Sequence, residues 1–134
     1  MNLVSLDSMG VSFVKFEDNP AVCQAEFVLP EHAAIFRDHF PGRPLLPAIG
    51  LISLCDWMLG RWLGDAVGLA FLRRVKFTLP MVPEMRLEIH LTRRDVDRLR
   101  MVSRSAAGEH ASGELGLHMR TAVVDGAPAG KETV

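Results

Sequence analysis

The sequence predicts an α+β domain in which an antiparallel sheet curls around one central helix. One long segment after residue 47 has helical spacing of its apolar residues and is apolar on nearly every side. Six other segments have the composition or the alternation of β-strands. Because the chain has only 134 residues, the length of one domain, a curled sheet is the only structure that could surround this helix.

The first two predicted strands form a hairpin. Residues 11–17 are rich in β-branched and aromatic residues, and Asp-Asn-Pro at 18–20 ends the segment. Residues 21–29 then carry an apolar side chain at every second position, as a strand with one buried face does. The following segment, 30–44, contains three prolines and therefore cannot be a regular strand or helix throughout.

The central helix is predicted to begin near Pro47 and to end near Gly64. Proline is tolerated in a first helical turn, where its missing amide would have had no partner, and glycine commonly ends a helix. Since further apolar residues cover its other sides, we expect this helix to be surrounded by protein. The residues with three- and four-residue spacing are Leu51, Leu54, Cys55, Met58 and Trp62.

Four more strands are expected after the helix. The first is ended by two prolines, and the second alternates, with Met85, Leu87, Ile89 and Leu91 inward and His90 among the outward residues. The four strands are predicted at residues 69–79, 84–93, 97–105 and 111–120, with turns at 94–97 and 106–110.

The domain is assigned to residues 1–124. The segment after it is small and polar, so residues 125–134 are predicted to form a flexible C-terminal tail.

The composition indicates a globular cytoplasmic protein. Its 15 basic and 16 acidic residues leave no basic surplus for binding nucleic acid. No apolar run reaches the ~18 residues of a membrane span, and the first ten residues lack the features of a secretory signal. Cys23 and Cys55 have apolar neighbours and no metal-ligand spacing, so we expect two buried free thiols in a reducing compartment.

An isolated histidine lies in a Pro/Gly-rich turn just ahead of the helix, in the sequence His-Phe-Pro-Gly-Arg-Pro-Leu-Leu-Pro-Ala at 39–48. An imidazole is half-ionised near neutral pH, which makes His39 a candidate for accepting and returning a proton. The alternative is that His39 only caps the turn. No histidine pair has metal-ligand spacing, so no metal is expected. The histidines without a motif, expected at the surface or in turns, are His32, His90, His110 and His118.

This stretch resembles the signature of the β-hydroxyacyl-acyl-carrier-protein dehydratases, which have the hotdog fold. That signature is a His-Phe-Pro-Gly run followed by Pro, two apolar residues, Pro and usually Gly, where this chain has Ala48. Residues 73–91 look like the family's Val-Lys-Phe strand, proline pair and next strand, with Glu84 where a glycine is usual. The resemblance spans about residues 21–91. It looks closest to the short thioester dehydratases of aryl polyene and similar acyl pathways.

The resemblance implies removal of water from a 3-hydroxyacyl group held as a thioester on acyl carrier protein or CoA, without a cofactor. In the family the motif histidine, here His39, removes the proton α to the thioester carbonyl. The backbone amides of Gly42 and Ala48 would stabilise the enolate at the positive end of the helix. Phe40 and Pro47 lie beside them in the motif as expected substrate-binding residues.

The acid that protonates the departing hydroxyl is missing from its usual place. Family members carry Glu or Asp fourteen residues after the motif histidine, and that position is Ser53 here. A serine hydroxyl can position a water or a substrate hydroxyl, but it cannot replace a carboxylic acid. Asp56 lies about 60° around the helix and ~4.5 Å further along it, so it could reach the same cavity.

Two interpretations of Asp56 therefore stay open at this point. Either Asp56 is the substitute acid, or the chain has lost the acid. In the second case Asp56 would pair with Arg61 or with an arginine of the sheet, and Ser53 would be a small residue packed against a strand.

Two other functions also stay open. The chain could be a non-catalytic or acid-deficient subunit that binds acyl carrier protein or pairs with an active dehydratase. The family pairs two subunits edge to edge, as a homodimer or heterodimer, with the histidine from one chain and the acid from the helix of the other. A hotdog thioesterase is the third possibility, although thioesterases of this fold seldom use the His-Phe-Pro-Gly run.

Several large or charged side chains have both a structural and a functional interpretation. Trp57, Met58 and Trp62 are expected in the core or at a dimer contact, or along an acyl tunnel. The arginines are either solvated or contact the phosphopantetheine arm or an acidic carrier protein. These arginines are Arg37, Arg43, Arg73 and Arg74.

Overall fold

The computed structural model describes residues 5–37 and 46–119, and its main elements follow the predicted order. Within these residues there are three helices and six strands. The helices are α1 (Leu6–Met9), α2 (Ala34–Arg37) and α3 (Ala48–Leu63), and the strands are β1 (Ser12–Asp18), β2 (Val22–Leu29), β3 (Val67–Phe77), β4 (Met85–Asp95), β5 (Arg98–Ser105) and β6 (Gly108–Met119).

The strands form one antiparallel sheet in the order β1-β2-β4-β5-β6-β3. The predicted hairpin is the pair β1–β2, and β4, β5 and β6 follow one another as neighbours. The chain leaves β2, passes through α3, and returns as β3 at the far edge beside β6. The helix therefore connects the two halves of the sheet, and the predicted α+β fold with an antiparallel sheet around one helix is confirmed.

Helix α3 supplies the centre of the core. Its N-cap is Pro47, and Gly64 ends it with a φ of 95°, a conformation that glycine adopts without strain. Both predicted ends of the helix are thus confirmed. The helix residues Leu51, Leu54, Cys55, Met58 and Leu59 are at most 1% exposed and share the core with Ala25, Phe27, Leu87, Ile89, Leu99 and Leu115.

The two cysteines are buried and free, as the sequence predicts. Burial raises the pKa of Cys23 to about 12, with a smaller contribution from the charge of Asp18. Burial likewise raises the pKa of Cys55 to about 12, with smaller contributions from the charge of Asp56 and from Cys23. Both groups therefore stay protonated at neutral pH and behave as small apolar core residues.

The prediction of a turn at residues 106–110 is wrong for residues 108–110. Gly108 has a φ of 126°, which lets the chain reverse within two residues, so β6 already begins at Gly108. His110 consequently lies in β6 and is fully buried, not at the surface or in a turn as predicted.

The inward side chains of β4 follow the prediction. Leu87, Ile89 and Leu91 are fully buried and Met85 is partly buried, while the outward His90 contacts Glu88 at 3.1 Å. Just before this strand, Glu84 has a φ of 69° and donates its N–H to the carbonyl oxygen of Leu29 at 2.6 Å. Glycine adopts this left-handed conformation without strain, and the dehydratase signature that the sequence resembles usually has glycine at this position.

The C-terminal tail predicted at 125–134 lies outside the described residues. No helix of residues 5–37 and 46–119 is long and apolar enough to cross a membrane.

Replacing Leu54 by alanine is expected to lower the free energy of unfolding by roughly 2–5 kcal/mol, because it leaves a cavity between α3 and the sheet. Urea denaturation monitored by circular dichroism measures the change. Val96, which is 79% exposed, is the matched control, and Val96→Ala is expected to change stability by less than about 0.5 kcal/mol. Equal effects of the two substitutions would contradict a core centred on α3.

Candidate active site

Helix α1 lies beside α3 and was not predicted from the sequence. Ser5 caps α1 by accepting the N–H of Ser8 at 3.2 Å, and Gly10 ends it with a φ of 76°. These two residues, a serine before the helix and a glycine after it, are the signals from which α1 could have been found. The helix brings Asp7 close to the polar side of α3.

Ser53 and Asp56 line the same cleft, which we call the Asp56 cleft. Its volume is about 530 Å³. Ser53 is 2% exposed, whereas Asp56 is partly exposed, so the carboxylate is the more accessible of the two. An offset of three helix positions places both residues on one side of α3, as their common position in the cleft requires. The other residues that line the cleft are Ser5, Leu6, Asp7, Phe13, Trp57 and Arg61.

One wall of the Asp56 cleft is aromatic and carries a positive charge. The ring of Trp57 lies 4.8 Å from that of Phe13 and 5.8 Å from that of Phe16, centroid to centroid. The guanidinium of Arg61 lies over Phe13, Phe16 and Trp57, at 4.7, 5.1 and 5.5 Å from the ring centroids. Such cation–π contacts hold the guanidinium against the aromatic wall of the cleft. The cleft therefore offers a carboxylate, a hydroxyl, an apolar wall and a cation.

A second depression lies at the start of α3, and we call it the helix-start groove. It has a volume of about 340 Å³ and a mostly apolar lining. The N–H of Leu46 donates to the carbonyl oxygen of Met81 at 2.7 Å, which fixes the start of the helix against the segment after β3. The groove is lined by Leu46, Pro47, Ala48 and by residues 77–81.

The predicted site residues thus fall into two places. Ser53 and Asp56 share the Asp56 cleft, whereas Pro47 and Ala48 line the helix-start groove. Because Ala48 and Asp56 are eight residues apart on one helix, they are separated by about 12 Å along its axis. The remaining predicted residues, His39, Phe40 and Gly42, lie outside the described residues.

The tryptophans and the methionine of α3 have structural contacts, as one of their two interpretations predicts. Met58 is fully buried in the core, and Trp57, which also lines the Asp56 cleft, is partly buried against that core. The indole N–H of Trp62 donates to the carbonyl oxygen of Asn19 at 2.9 Å, which ties the end of α3 to the β1–β2 turn.

The buried residue His110 holds one wall of the helix-start groove in place. Its Nδ1 lies 3.2 Å from the carbonyl oxygen of Leu79, so Nδ1 donates. Its Nε2 lies 2.7 Å from Ser105 Oγ and accepts that hydroxyl hydrogen, while Ser105 Oγ also accepts the N–H of Ala107 at 3.1 Å. The carbonyl oxygen of His110 accepts the N–H of Thr78 at 2.7 Å. This residue fixes the segment that forms one wall of the groove.

Metal binding has no support within residues 5–37 and 46–119. No group of three or more histidine, cysteine, aspartate or glutamate side chains there could hold a metal ion.

The sequence matches the profile of the ApeI-like family, described as ApeI dehydratase, over residues 15–114. No curated protein matches the chain. Among solved structures, the dehydratase heterocomplex ApeI:P from Xenorhabdus doucetiae is similar, with a TM-score of 0.72 and 20% identity, over 79% of this chain and 96% of that chain. An uncharacterized protein from Erwinia carotovora subsp. atroseptica has a TM-score of 0.66 and 19% identity, over 81% and 93%.

A more distant structure has the same fold. The (R)-hydratase from A. caviae involved in PHA biosynthesis has a TM-score of 0.55 and 18% identity, over 73% of this chain and 93% of that chain. At these identities the similarities establish the hotdog fold.

Substituting His110 by leucine is expected to lower the free energy of unfolding by at least about 2 kcal/mol, because Ser105 Oγ and the Leu79 carbonyl lose a buried partner. Exposed His118 provides the control, and His118→Leu is expected to change stability by less than about 0.5 kcal/mol. Thermal or urea unfolding measures both. If the two variants were equally stable, the hydrogen bonds of His110 would not support the groove.

Proposed function

The chain belongs to the ApeI-like dehydratase family, and we propose that it removes water from a 3-hydroxyacyl thioester carried by acyl carrier protein or CoA. The observation that carries the proposal is that Ser53 and Asp56 line one cleft. The position that holds the acid in related dehydratases is a serine here, and the nearest carboxylate of α3 faces the same space. The reaction would belong to fatty-acid or polyene-type acyl biosynthesis.

In the proposed reaction His39 takes the proton from the α-carbon, and the electron pair moves toward the thioester carbonyl. The amides of Gly42 and Ala48 would donate hydrogen bonds to the resulting enolate oxygen. The enolate then collapses to form the α,β double bond while the bond between the β-carbon and its hydroxyl breaks. The carboxyl group of Asp56 protonates that hydroxyl, which leaves as water. Ser53 would orient the β-hydroxyl toward Asp56.

The separation along α3 favours a site built from two subunits. The enolate oxygen and the β-hydroxyl of one substrate lie only a few ångströms apart, whereas Ala48 and Asp56 of one chain are about 12 Å apart along the helix axis. One chain is therefore poorly suited to provide both groups to the same substrate. A paired subunit would supply Asp56 opposite the helix-start groove of its partner.

Replacing Asp56 by asparagine is expected to lower the rate of dehydration by roughly 10²–10⁴-fold, because the amide cannot protonate the leaving hydroxyl. The assay follows loss of water from a 3-hydroxyacyl-pantetheine or 3-hydroxyacyl-carrier thioester by mass spectrometry. In the Asp56→Asn background, Ser53→Glu is expected to recover activity, since it returns a carboxyl group to the position used by related dehydratases.

Asp18→Asn, at the exposed end of β1, is the control for a lost surface carboxylate and is expected to keep normal activity. Circular dichroism verifies that each variant folds. Full activity of Asp56→Asn would rule out Asp56 as the substitute acid.

A second candidate function is that of an acid-deficient subunit which pairs with an active dehydratase. It is favoured by Ser53 at the acid position and by the edge strand β3, where Phe71 and Phe77 are 37% and 53% exposed. An unpaired edge with exposed aromatic residues is suited to pairing with another sheet. The similar structure from Xenorhabdus doucetiae is itself a dehydratase heterocomplex.

Native mass spectrometry separates the two candidates when the chain is co-expressed with a hotdog dehydratase encoded near it. The acid-deficient subunit predicts a mixed dimer that is active and a homodimer that is not. A homodimeric preparation with full activity would exclude this second function.

A further inference from the structure

A concave surface lined by cations lies on the outer face of the sheet, and we call it the basic trough. Its volume is about 320 Å³. Residues from β3, β4, β5 and β6 contribute to it. The lining residues are Arg74, Lys76, Arg94, Leu99, Arg100, Ser112, Gly113 and Glu114.

The strand alternation places this trough on the face opposite α3. Leu99 and Leu115 are buried in the core with the helix, so their neighbours in sequence, Arg100 and Glu114, point to the other face. Arg100 is the register partner of Glu114, and Lys76 is the register partner of Ser112, which brings these side chains to one region. The trough is therefore separate from the Asp56 cleft.

Most of the positive charge in the trough is uncompensated. The carboxylate of Glu114 lies 3.7 Å from Arg73 and 3.9 Å from Arg98, two arginines that do not line the trough. Within residues 5–37 and 46–119, the four lining cations form no ion pair. The trough thus has four lining cations and one lining carboxylate, and the two arginines nearest to that carboxylate lie outside the lining.

The backbone of β3 departs from regular geometry where it reaches the trough. The register with β6 shifts between Arg73 and Lys76, so the strand bulges there. Arg74, inside the bulge, has a φ of 54°, which is unfavourable for a residue with a side chain. A Cβ at Gly113 would lie 2.8 Å from Val75 Cγ2, so glycine is needed for the bulge to pack on β6. The fold maintains a strained residue at the position of a lining cation.

From this geometry we propose that the basic trough binds a small molecule that carries phosphate groups. A single carboxylate would neutralise only one of the four cations, whereas a phosphate or diphosphate carries two or more charges and several acceptor oxygens. One guanidinium group can bind two such oxygens at once, and the hydroxyl of Ser112 adds a hydrogen-bond donor. A long nucleic acid fits less well, because the whole chain has a net charge of −1. This inference does not depend on the proposed dehydration.

Isothermal titration calorimetry with pyrophosphate tests the proposal by binding alone. We expect saturable one-site binding that weakens as the salt concentration rises. In the double variant Arg74→Gln, Arg100→Gln binding is expected to weaken at least about tenfold, because two charge-assisted contacts are lost. The matched control is Arg104→Gln, which removes an exposed arginine of β5 outside the trough and is expected to bind normally.

Two further titrations identify the kind of ligand. Adenosine 3′,5′-bisphosphate is the nucleotide end of CoA, whereas ADP represents a free nucleotide, so comparing the two distinguishes these sources. Tighter binding of either compound than of adenosine supports the proposal. Absence of saturable pyrophosphate binding, or equal binding by the double variant with its fold intact, would overturn it. Tighter binding of polyglutamate or single-stranded RNA than of any phosphate compound would also overturn it, in favour of a macromolecular partner.

Discussion

Burial of α3 against the concave face of the sheet is the interaction on which the rest of the molecule depends. The helix is too apolar to be stable in water, and the sheet residues that cover it would be exposed without it. Because Leu54, Cys55 and Met58 occupy the sheet-facing side, the rotation of the helix is fixed. Ser53 and Asp56 are then left to face the Asp56 cleft, so the direction of the polar groups is a consequence of core packing.

Helix α3 also holds two sets of functional groups at separate positions. Its N-terminal end provides amide hydrogens beside an apolar groove, and its middle provides a carboxylate beside an aromatic wall. A rigid helix keeps these two places about 12 Å apart in one chain, which is why the proposed function takes the groove from one subunit and the carboxylate from another. Both the proposed pairing of subunits and the proposed reaction therefore depend on the distance along α3 between these two places.

Features that depend on local pattern were predictable from the sequence. Pro47 and Gly64 mark the ends of α3, the alternation of β4 identifies its inward side, and the helical repeat predicts that Ser53 and Asp56 share a face. Features that depend on distant partners were not. His110 is buried because Leu79, 31 residues earlier, accepts its hydrogen bond, and the basic trough exists because the register aligns side chains of four strands. The role of His39 stays a prediction from the motif alone.

The most direct test of the central claim is an experimental structure with a non-reactive 3-hydroxyacyl-pantetheine analogue bound. If the packing of α3 directs Asp56 at the substrate, the β-hydroxyl of the analogue will lie about 2.6–3.0 Å from the Asp56 carboxylate, within hydrogen-bond distance. An analogue bound with its β-hydroxyl away from Asp56, while α3 kept its position in the sheet, would contradict this role of Asp56.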